Sequence, residues 1–480
     1  MPSLVRSLLL SCILFFGTRH AESVFLRKSN GNNSALNNNN NNGEEEQHRQ
    51  LSSSSGGGSQ SPPSSYSQLR YLTFGTSMTW GSGLEHRETQ AYTWVLSKDA
   101  RNLAVRASGP SYPGVCLQSM IDDEKAVYDV IVLEFFMRVE DGLLTLGKRL
   151  RERFPKAIII FLRLWNPMHV HYFITDTTKE SMPLSNWPKS IGKGFSLHDE
   201  EFKEELMQMP PGKVFFADFS DRDEIVRSVA DEVDGHVVEL YRPFDARVAM
   251  ARYGHWFDTD WHHLSDKGHA AVAHAIESKL EQLSVDPAKQ MRTAKLGSWG
   301  DGDACISWFE SGDCPIGYSD GVILKAMDSS NKKHSLEIYY GVPGTVRVVN
   351  PFDEPRDLHL TYMSIGPAPS EYPVTTVEFP RTPGLEQLEL DPTCYVKYGK
   401  PVHVTKTTPV GVIPPGETFV HFQVREQKTL PFRLTGISIT GNEFQPKDYA
   451  FGIHNFDTGS RRRMLSATDE MEEYYNLELP

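Results

Sequence analysis

Two segments far apart in the chain carry the residue types of nucleophilic catalysis. The first, F-G-T-S-M-T-W-G-S-G over 74–83, places Ser77 on a glycine-flanked turn directly after an apolar run. The second, D-T-D-W-H-H-L-S-D-K-G-H over 258–269, places Asp260 three residues before His263. A carboxylate at this spacing can orient and charge-balance an imidazole that takes the proton from a serine. We therefore predict Ser77 as nucleophile, His263 as general base and Asp260 as its orienting acid, with backbone N–H groups of the turn facing a developing oxyanion.

The elements that would position these residues alternate in type between residues 70 and 283. The predicted strands are mostly continuous apolar runs, as in parallel strands covered on both faces, and they lie at 70–74, 102–106, 129–135, 157–162, 214–217 and 236–240. Amphipathic helices are predicted between them at 142–154, 221–233 and 265–283. Strand and helix in alternation predict an α/β sandwich around a parallel sheet. A serine that directly follows the first strand would then lie at the sheet edge where such folds bind ligands.

Together the two segments resemble the SGNH or GDSL-like hydrolase family. Residues 74–81 resemble its first block, with Ser77 at the nucleophile position, and Asp260-x-x-His263 followed by Leu-Ser-x-x-Gly resembles its last. The resemblance covers roughly residues 70–283. It implies a flavodoxin-like three-layer α/β/α fold, a Ser-His-Asp triad without metal or cofactor, and ester hydrolysis or acyl transfer as the usual chemistry.

The chain departs from the family pattern at positions that bear on the oxyanion hole. Thr76 stands where the first block has aspartate, which is tolerable because that residue is not the nucleophile. The second block should supply a glycine donor after the second strand; Gly109 is preferred, with Gly114 in reserve. Arg138 falls where the third block has an asparagine donor, and a guanidinium is longer and charged. Loss of one oxyanion donor raises the activation free energy by about 3 kcal/mol. We therefore expect either an active chain in which Arg138 is a third donor or an inactive binding protein.

Three alternatives at these segments stay open. Ser77 could be an ordinary turn residue, because serine and glycine are common in turns. Asp258 could pair with His262, although that spacing differs from the family pattern. A metal cluster is less favoured, because adjacent residues do not easily share one site; it would draw on His255, Asp258, His262, His263 and His269.

The rest of the folded chain divides into an insertion and a second domain. Residues 166–212 are too long for an ordinary α/β connection, and we predict a short helix at 199–209 and a lid, a substrate wall or passive decoration. Alternating strands with Pro and Gly between them predict an all-β sandwich over 296–456 that follows the hydrolase-like domain at 69–290, with a mobile tail at 457–480. This domain could bind carbohydrate.

The N-terminal residues predict export. A basic start, an apolar run of about ten residues and an A-E-S cleavage context indicate a signal peptide over 1–23. Residues 24–68 are rich in Asn, Ser and Gly and should form a disordered tether that carries one glycosylation sequon, Asn32-Asn33-Ser34, with Asn32 as the acceptor. We expect a secreted or lumenal protein, associated with a membrane only if the N-terminal segment stays uncleaved.

The cysteines allow disulfides in such a compartment. Four of the five, Cys116, Cys305, Cys314 and Cys394, would remain after cleavage of the signal. We favour a Cys305–Cys314 pair because the two flank a short turn; Cys116 and Cys394 would form a second pair or stay as buried thiols. The C-x-x-C spacing of structural zinc sites is missing.

Composition narrows the function. The 480 residues carry a net charge of −13, which argues against a duplex nucleic-acid binder, and 39% hydrophobic residues are enough for a packed core. The leading hypothesis is a secreted serine esterase acting on a small-molecule or glycan ester. The alternatives are a glycan O-acyltransferase of the secretory pathway and an inactive protein that only binds its ligand.

Overall fold

The structure is a computed structural model, and it describes residues 65–121, 123–136, 142–174, 181–184, 198–217, 220–240, 245–309, 314, 316–327, 333–366, 371–382, 385–393 and 402–441. The predicted signal peptide and tail, the sequon at Asn32, Arg138 and Cys394 lie outside these residues. Among the helices described, none is long and apolar enough to span a bilayer.

The first unit alternates strands and helices. Its first half comprises β1 Tyr71–Gly75, α1 Ser77–Trp80, α2 Arg87–Gln90, α3 Tyr92–Leu96, β2 Arg101–Asn102, α4 Ser111–Val115, α5 Leu117–Met120, β3 Val130–Glu134, α6 Leu143–Arg153 and β4 Ile158–Arg163. Its second half comprises β5 Val170–Phe173, β6 Ser181–Pro183, α7 Glu200–Gln208, β7 Val214–Phe216, α8 Ser220–Glu232, β8 His236–Glu239, α9 Ala246–Tyr253, α10 Asp266–Gln282 and α11 Pro287–Thr293.

Five strands form a parallel sheet in the order β2-β1-β3-β4-β8. Both faces are covered, because alternate residues of β3 enter two different cores. Val130 and Val132 join the core that includes α3, α9 and α10, whereas Ile131 and Leu133 join the core that includes α6 and α8. Two-sided burial explains why these strands are continuous apolar runs. The predicted three-layer α/β/α fold is confirmed.

Three sequence predictions within this unit need correction. The strand predicted at 102–106 is assigned only over Arg101–Asn102, although the N–H groups of Leu103 and Val105 still donate to the carbonyl groups of Thr73 and Gly75 on β1. The strand predicted at 214–217 is β7, which pairs antiparallel with β5 in a separate sheet of order β6-β5-β7 and not with the parallel sheet. The tether predicted to reach residue 68 ends earlier, because Ser65–Gln68 form a 3-10 helix.

The insertion supplies the small sheet and α7. Its 3-10 turn Pro167–His169 leads into β5, and α7 matches the helix predicted at 199–209. Tyr172 and Phe202 are buried in the same core as α9 and α10. The described part of the insertion is therefore packed onto the hydrolase-like unit.

An all-β unit follows, as predicted. Its strands are β9 Asp303–Ser307, β10 Val322–Ala326, β11 His334–Ile338, β12 Gly344–Asn350, β13 Arg356–Gly366, β14 Thr375–Glu378, β15 Leu388–Leu390, β16 Val402–Ile413, β17 Gly416–Val424 and β18 Phe432–Thr440. One antiparallel sheet has the order β10-β11-β18-β13-β16 with β9 on β18, and the other has the order β12-β17-β14-β15. Burial alternates along β12 and β17, and inward residues of both sheets share one core. This arrangement is a β-sandwich.

The disulfide in the structure differs from the one favoured by sequence. Cys116, at the junction of α4 and α5, bonds to Cys305 on β9, with the Cα atoms 5.6 Å apart. Cys314 is a half-buried free thiol. The Cys305–Cys314 pairing was wrong because β9 docks against α5, which brings Cys116 to Cys305 across 189 residues.

Candidate active site

Ser77 begins a one-turn helix at the carboxyl end of β1. Thr76 caps this helix through its side chain, which accepts a hydrogen bond from the N–H of Met78. Gly75 lies so close to its neighbours that a Cβ atom there would lie 2.1 Å from Thr79 Oγ1 and 2.9 Å from the carbonyl oxygen of Glu134. Gly81 ends the helix in the left-handed region at φ 87°. The two glycines therefore permit the tight turn that presents Ser77.

The structure brings the three residues predicted for catalysis together. Nε2 of His263 lies 2.9 Å from Oγ of Ser77, and Nδ1 of His263 is hydrogen-bonded to Oδ2 of Asp260. The other Asp260 oxygen accepts hydrogen bonds from the backbone N–H groups of His262 and His263, each 2.9 Å long. Ser77, His263 and Asp260 form one continuous hydrogen-bonded chain.

Electrostatics keep Asp260 ionised. Burial alone would raise its pKa, but the hydrogen bonds and charge of His263 and the backbone N–H of His262 outweigh burial and hold the pKa of Asp260 well below its usual range. A carboxylate fixed in this state can stabilise an imidazolium on His263 and hold its Nδ1 proton. The opposite ring nitrogen then faces Ser77 as an acceptor.

The alternative pairing of Asp258 with His262 is not formed. Asp258 Oδ1 accepts hydrogen bonds from the backbone N–H of Thr259, at 2.7 Å, and from its hydroxyl, at 3.4 Å. His262 instead places Nδ1 3.5 Å from Nδ2 of Asn166, whose Oδ1 accepts from the N–H of Met168. Burial is the main cause that lowers the pKa of His262 to about 4, so this ring is neutral at neutral pH.

The third histidine of this segment, His269, packs against Tyr92. His269 Nδ1 accepts from the backbone N–H of Tyr92 at 3.2 Å, and the two rings stack at 5.9 Å. Burial lowers the pKa of His269 to about 3. Across the residues that the structure describes, no group of three or more His, Cys, Asp or Glu side chains is arranged to hold a metal ion.

Glu134 is a residue of this site that sequence reasoning missed. It ends β3 next to the nucleophile turn, and its buried Oε2 accepts from Thr76 N at 3.1 Å, Thr76 Oγ1 at 2.8 Å and Thr79 Oγ1 at 3.1 Å. Burial raises the pKa of Glu134 to about 7, against the lowering effect of these hydrogen bonds. The only sequence signal was a glutamate at the end of an otherwise apolar strand.

The backbone N–H groups predicted as oxyanion donors differ in whether they are already hydrogen-bonded within the protein. Gly114 is unsuitable, because its N–H donates to the carbonyl of Pro110 at 2.8 Å inside α4. Gly109 is buried in the loop between β2 and α4, and no residue in the described ranges accepts a hydrogen bond from its N–H or from that of Ser77. Both N–H groups are thus available to a ligand.

Two arginines border the nucleophile helix. The guanidinium carbon of Arg87 lies 4.1 Å from the centroid of the Trp80 ring, and that of Arg106 lies 4.4 Å from it. Trp80 is the last residue of α1, so this stack lies one helical turn from Ser77. Arg87 also forms an ion pair with Glu88, with 3.2 Å between the nitrogen and oxygen atoms.

Comparison with known proteins finds only remote structural similarity. No protein-family profile and no curated protein sequence match the chain. Among solved structures, a two-domain esterase active on acetylated mannans is 13% identical with a TM-score of 0.45, over 78% of this chain and 92% of that one. A protein from Slackia heliotrinireducens assigned to the SGNH hydrolases is 13% identical with a TM-score of 0.27, over 44% of this chain and 98% of that one. The sheet order itself gives a three-layer α/β/α unit followed by an all-β unit.

Proposed function

We propose that the chain is a serine esterase that hydrolyses carboxylic esters, with Ser77 as the nucleophile. The observation that carries this proposal is the hydrogen-bonded chain from Ser77 Oγ through His263 to Asp260, with 2.9 Å between Oγ and Nε2. That distance is within reach for direct proton transfer. An inactive binding protein would not need an ionised carboxylate behind an imidazole that faces a serine.

The proposed reaction has two halves. His263 takes the Ser77 proton as Oγ attacks the acyl carbonyl, and the backbone N–H groups of Ser77 and Gly109 stabilise the oxyanion. Collapse of the tetrahedral intermediate transfers the proton from His263 to the departing alcohol and leaves an acyl-enzyme. Water then attacks the acyl-enzyme, again with His263 as base, and releases the acid. Arg138 stays in this proposal as a third donor on sequence grounds alone.

We propose export for the location of this activity. The support is the predicted signal peptide together with the Cys116–Cys305 disulfide, because structural disulfides persist in oxidising compartments. We propose a glycan or small-molecule ester as substrate, with an acetyl group as the first acyl group to try.

Hydrolysis of p-nitrophenyl acetate tests the activity. Ser77→Ala and His263→Ala should each lower kcat by about 10³-fold or more. Ser82→Ala is the matched control, because Ser82 lies on the same turn. The hydrogen bond described for Ser82 is donated by its backbone N–H, which alanine retains. This variant should keep the wild-type kcat. Equal rates in all four proteins would contradict the proposal. Added oligosaccharide that diverts the acetyl group from water to sugar would instead identify an acyltransferase.

A further inference from the structure

The loop that carries Gly109 contains a residue in an unfavourable backbone conformation. Ala107 has φ 60°. This left-handed region is disfavoured for residues with a Cβ atom, so surrounding contacts must hold the residue there. Gly109 follows two residues later, so the direction that the backbone takes at Ala107 sets the position of the Gly109 N–H.

The contact that holds Ala107 comes from the β-sandwich. The carbonyl oxygen of Ala107 accepts a hydrogen bond from the backbone N–H of Thr405 at 2.8 Å and a second from the Thr405 hydroxyl at 3.3 Å. Thr405 lies on β16, the edge strand of its sheet, paired with Met363 of β13. Because its N–H goes to Ala107, that N–H points away from β13.

Both flanks of the loop are fixed as well. Before the loop, the N–H of Val105 donates to the carbonyl of Gly75 at 3.2 Å, which joins the loop to the end of β1.

After the loop, Cys116 is bonded to Cys305. Asp303 accepts from the N–H groups of Gln118 and Ser119 at 2.9 Å each and from Arg149 at 2.7 Å. Between these two anchors, Thr405 supports the middle of the loop at Ala107.

We propose that Thr405 is a positioning residue for the oxyanion hole: β16 holds the carbonyl of Ala107 and thereby places the N–H of Gly109. This inference rests on the proposed esterase function. Under it, the β-sandwich is part of the catalytic apparatus, because it fixes a backbone donor in the other unit. A displacement of about 1 Å at such a donor can lower the rate by about 100-fold without weakening substrate binding.

The test removes both Thr405 donors to the Ala107 carbonyl, the backbone N–H and the hydroxyl. Proline is tolerated on edge strands where the N–H points outward, and β16 already has Pro409 four residues further on, in the same register. Thr405→Pro should lower kcat for p-nitrophenyl acetate by at least about 10-fold at similar KM. Thr407→Pro is the matched control. It removes the next N–H that points outward from β16, two residues after Thr405, and the hydroxyl that contacts Thr361. This variant should keep the wild-type kcat. Wild-type kcat in Thr405→Pro would overturn the proposal.

A second variant separates positioning from a general loss of structure. Glycine adopts positive φ readily, so Ala107→Gly added to Thr405→Pro should recover a large part of the lost kcat. A merely destabilised protein would not be rescued, and failure of rescue in a folded double variant would count against the proposal. Reaction of the wild type and of Thr405→Pro with a fluorophosphonate distinguishes the two hypotheses. No reaction in either protein would refute the esterase, whereas equal rates of reaction in both would refute only the role of Thr405.

Discussion

Glu134 and Thr76 form the most informative pair of residues in the site. Thr76 stands where the SGNH/GDSL-like sequence pattern has aspartate, and its hydroxyl donates to the buried Glu134 carboxylate at 2.8 Å. An aspartate at this position would place a second carboxylate against Glu134, which would be unfavourable without an added proton. Threonine can donate this hydrogen bond, and it still caps α1. The departure at residue 76 is therefore suited to the glutamate at the end of β3.

Glu134 should make the stability of the chain depend on pH. Its pKa rises from 4.5 to about 7 on folding, chiefly because of burial. Between these values the unfolded chain has lost the proton and the folded chain keeps it, so the contribution of Glu134 to stability declines as pH rises. The shift corresponds to about 3 kcal/mol.

Urea unfolding at pH 4.5 and pH 8 measures this contribution. Other groups titrate in this window, including His262 and His269, whose lowered pKa values act in the opposite direction. The informative quantity is therefore the difference between the wild type and Glu134→Gln. The wild type should lose about 3 kcal/mol relative to the variant over this range. Parallel pH profiles would show that the carboxyl of Glu134 is not held protonated.

At the scale of elements, a glycine contact fixes α4 against α6. Gly142 precedes α6, and a Cβ atom there would lie 2.3 Å from Cα of Ser111 and 2.5 Å from its N. Both are backbone atoms at the start of α4, directly after the oxyanion loop. No side-chain rotation can relieve this overlap, so α4 can approach α6 this closely only because residue 142 is glycine.

Gly142→Ala should therefore destabilise the chain. We expect a loss of about 1–3 kcal/mol in the free energy of unfolding, measured by urea denaturation. Gly147→Ala is the control, because it lies inside α6 and its Cβ would meet mainly the methyl groups of Val233, with the nearer at 3.2 Å. Alanine also favours the helix, so the control should stay within about 1 kcal/mol of the wild type. A similar loss in both variants would contradict the argument from backbone contact.

At the scale of the whole molecule, one disulfide links the two units. Cys116 and Cys305 are 189 residues apart in sequence. A cross-link that closes so long a loop stabilises the folded state by typically about 2–4 kcal/mol. The Cys305→Ser variant should lose about 2–4 kcal/mol in the free energy of unfolding. Cys314 is a free thiol among the residues that the structure describes, so Cys314→Ser should change the stability little. Equal losses in the two variants would contradict the pairing.

The sequence predicted what depends on neighbours along the chain. That Ser77, Asp260 and His263 lie together could be predicted because each is in a short block with its own turn residues. The strands β1 and β3 could be predicted because burial on both faces leaves a continuous apolar run. The strand β7 has a similar apolar character, so the same rule wrongly assigned it to the parallel sheet.

Contacts between residues far apart in sequence could not be predicted from local sequence patterns. The bond from Thr405 to Ala107 and the partner of Cys305 depend on how the α/β unit and the β-sandwich pack against each other, and spacing in sequence does not encode this packing. The role of Glu134 was missed for a related reason: a single glutamate in an apolar strand gives no sign that a threonine 58 residues earlier will donate to it.

The most direct test of the account is to locate the activated nucleophile. The intact protein is treated with a fluorophosphonate, and the modified peptide is identified by mass spectrometry, with Ser77→Ala, His263→Ala and Ser82→Ala alongside. The account predicts a single adduct on Ser77 that persists in Ser82→Ala and is lost in the other two variants. A folded wild-type protein without an adduct, or with its adduct on another residue, would contradict it.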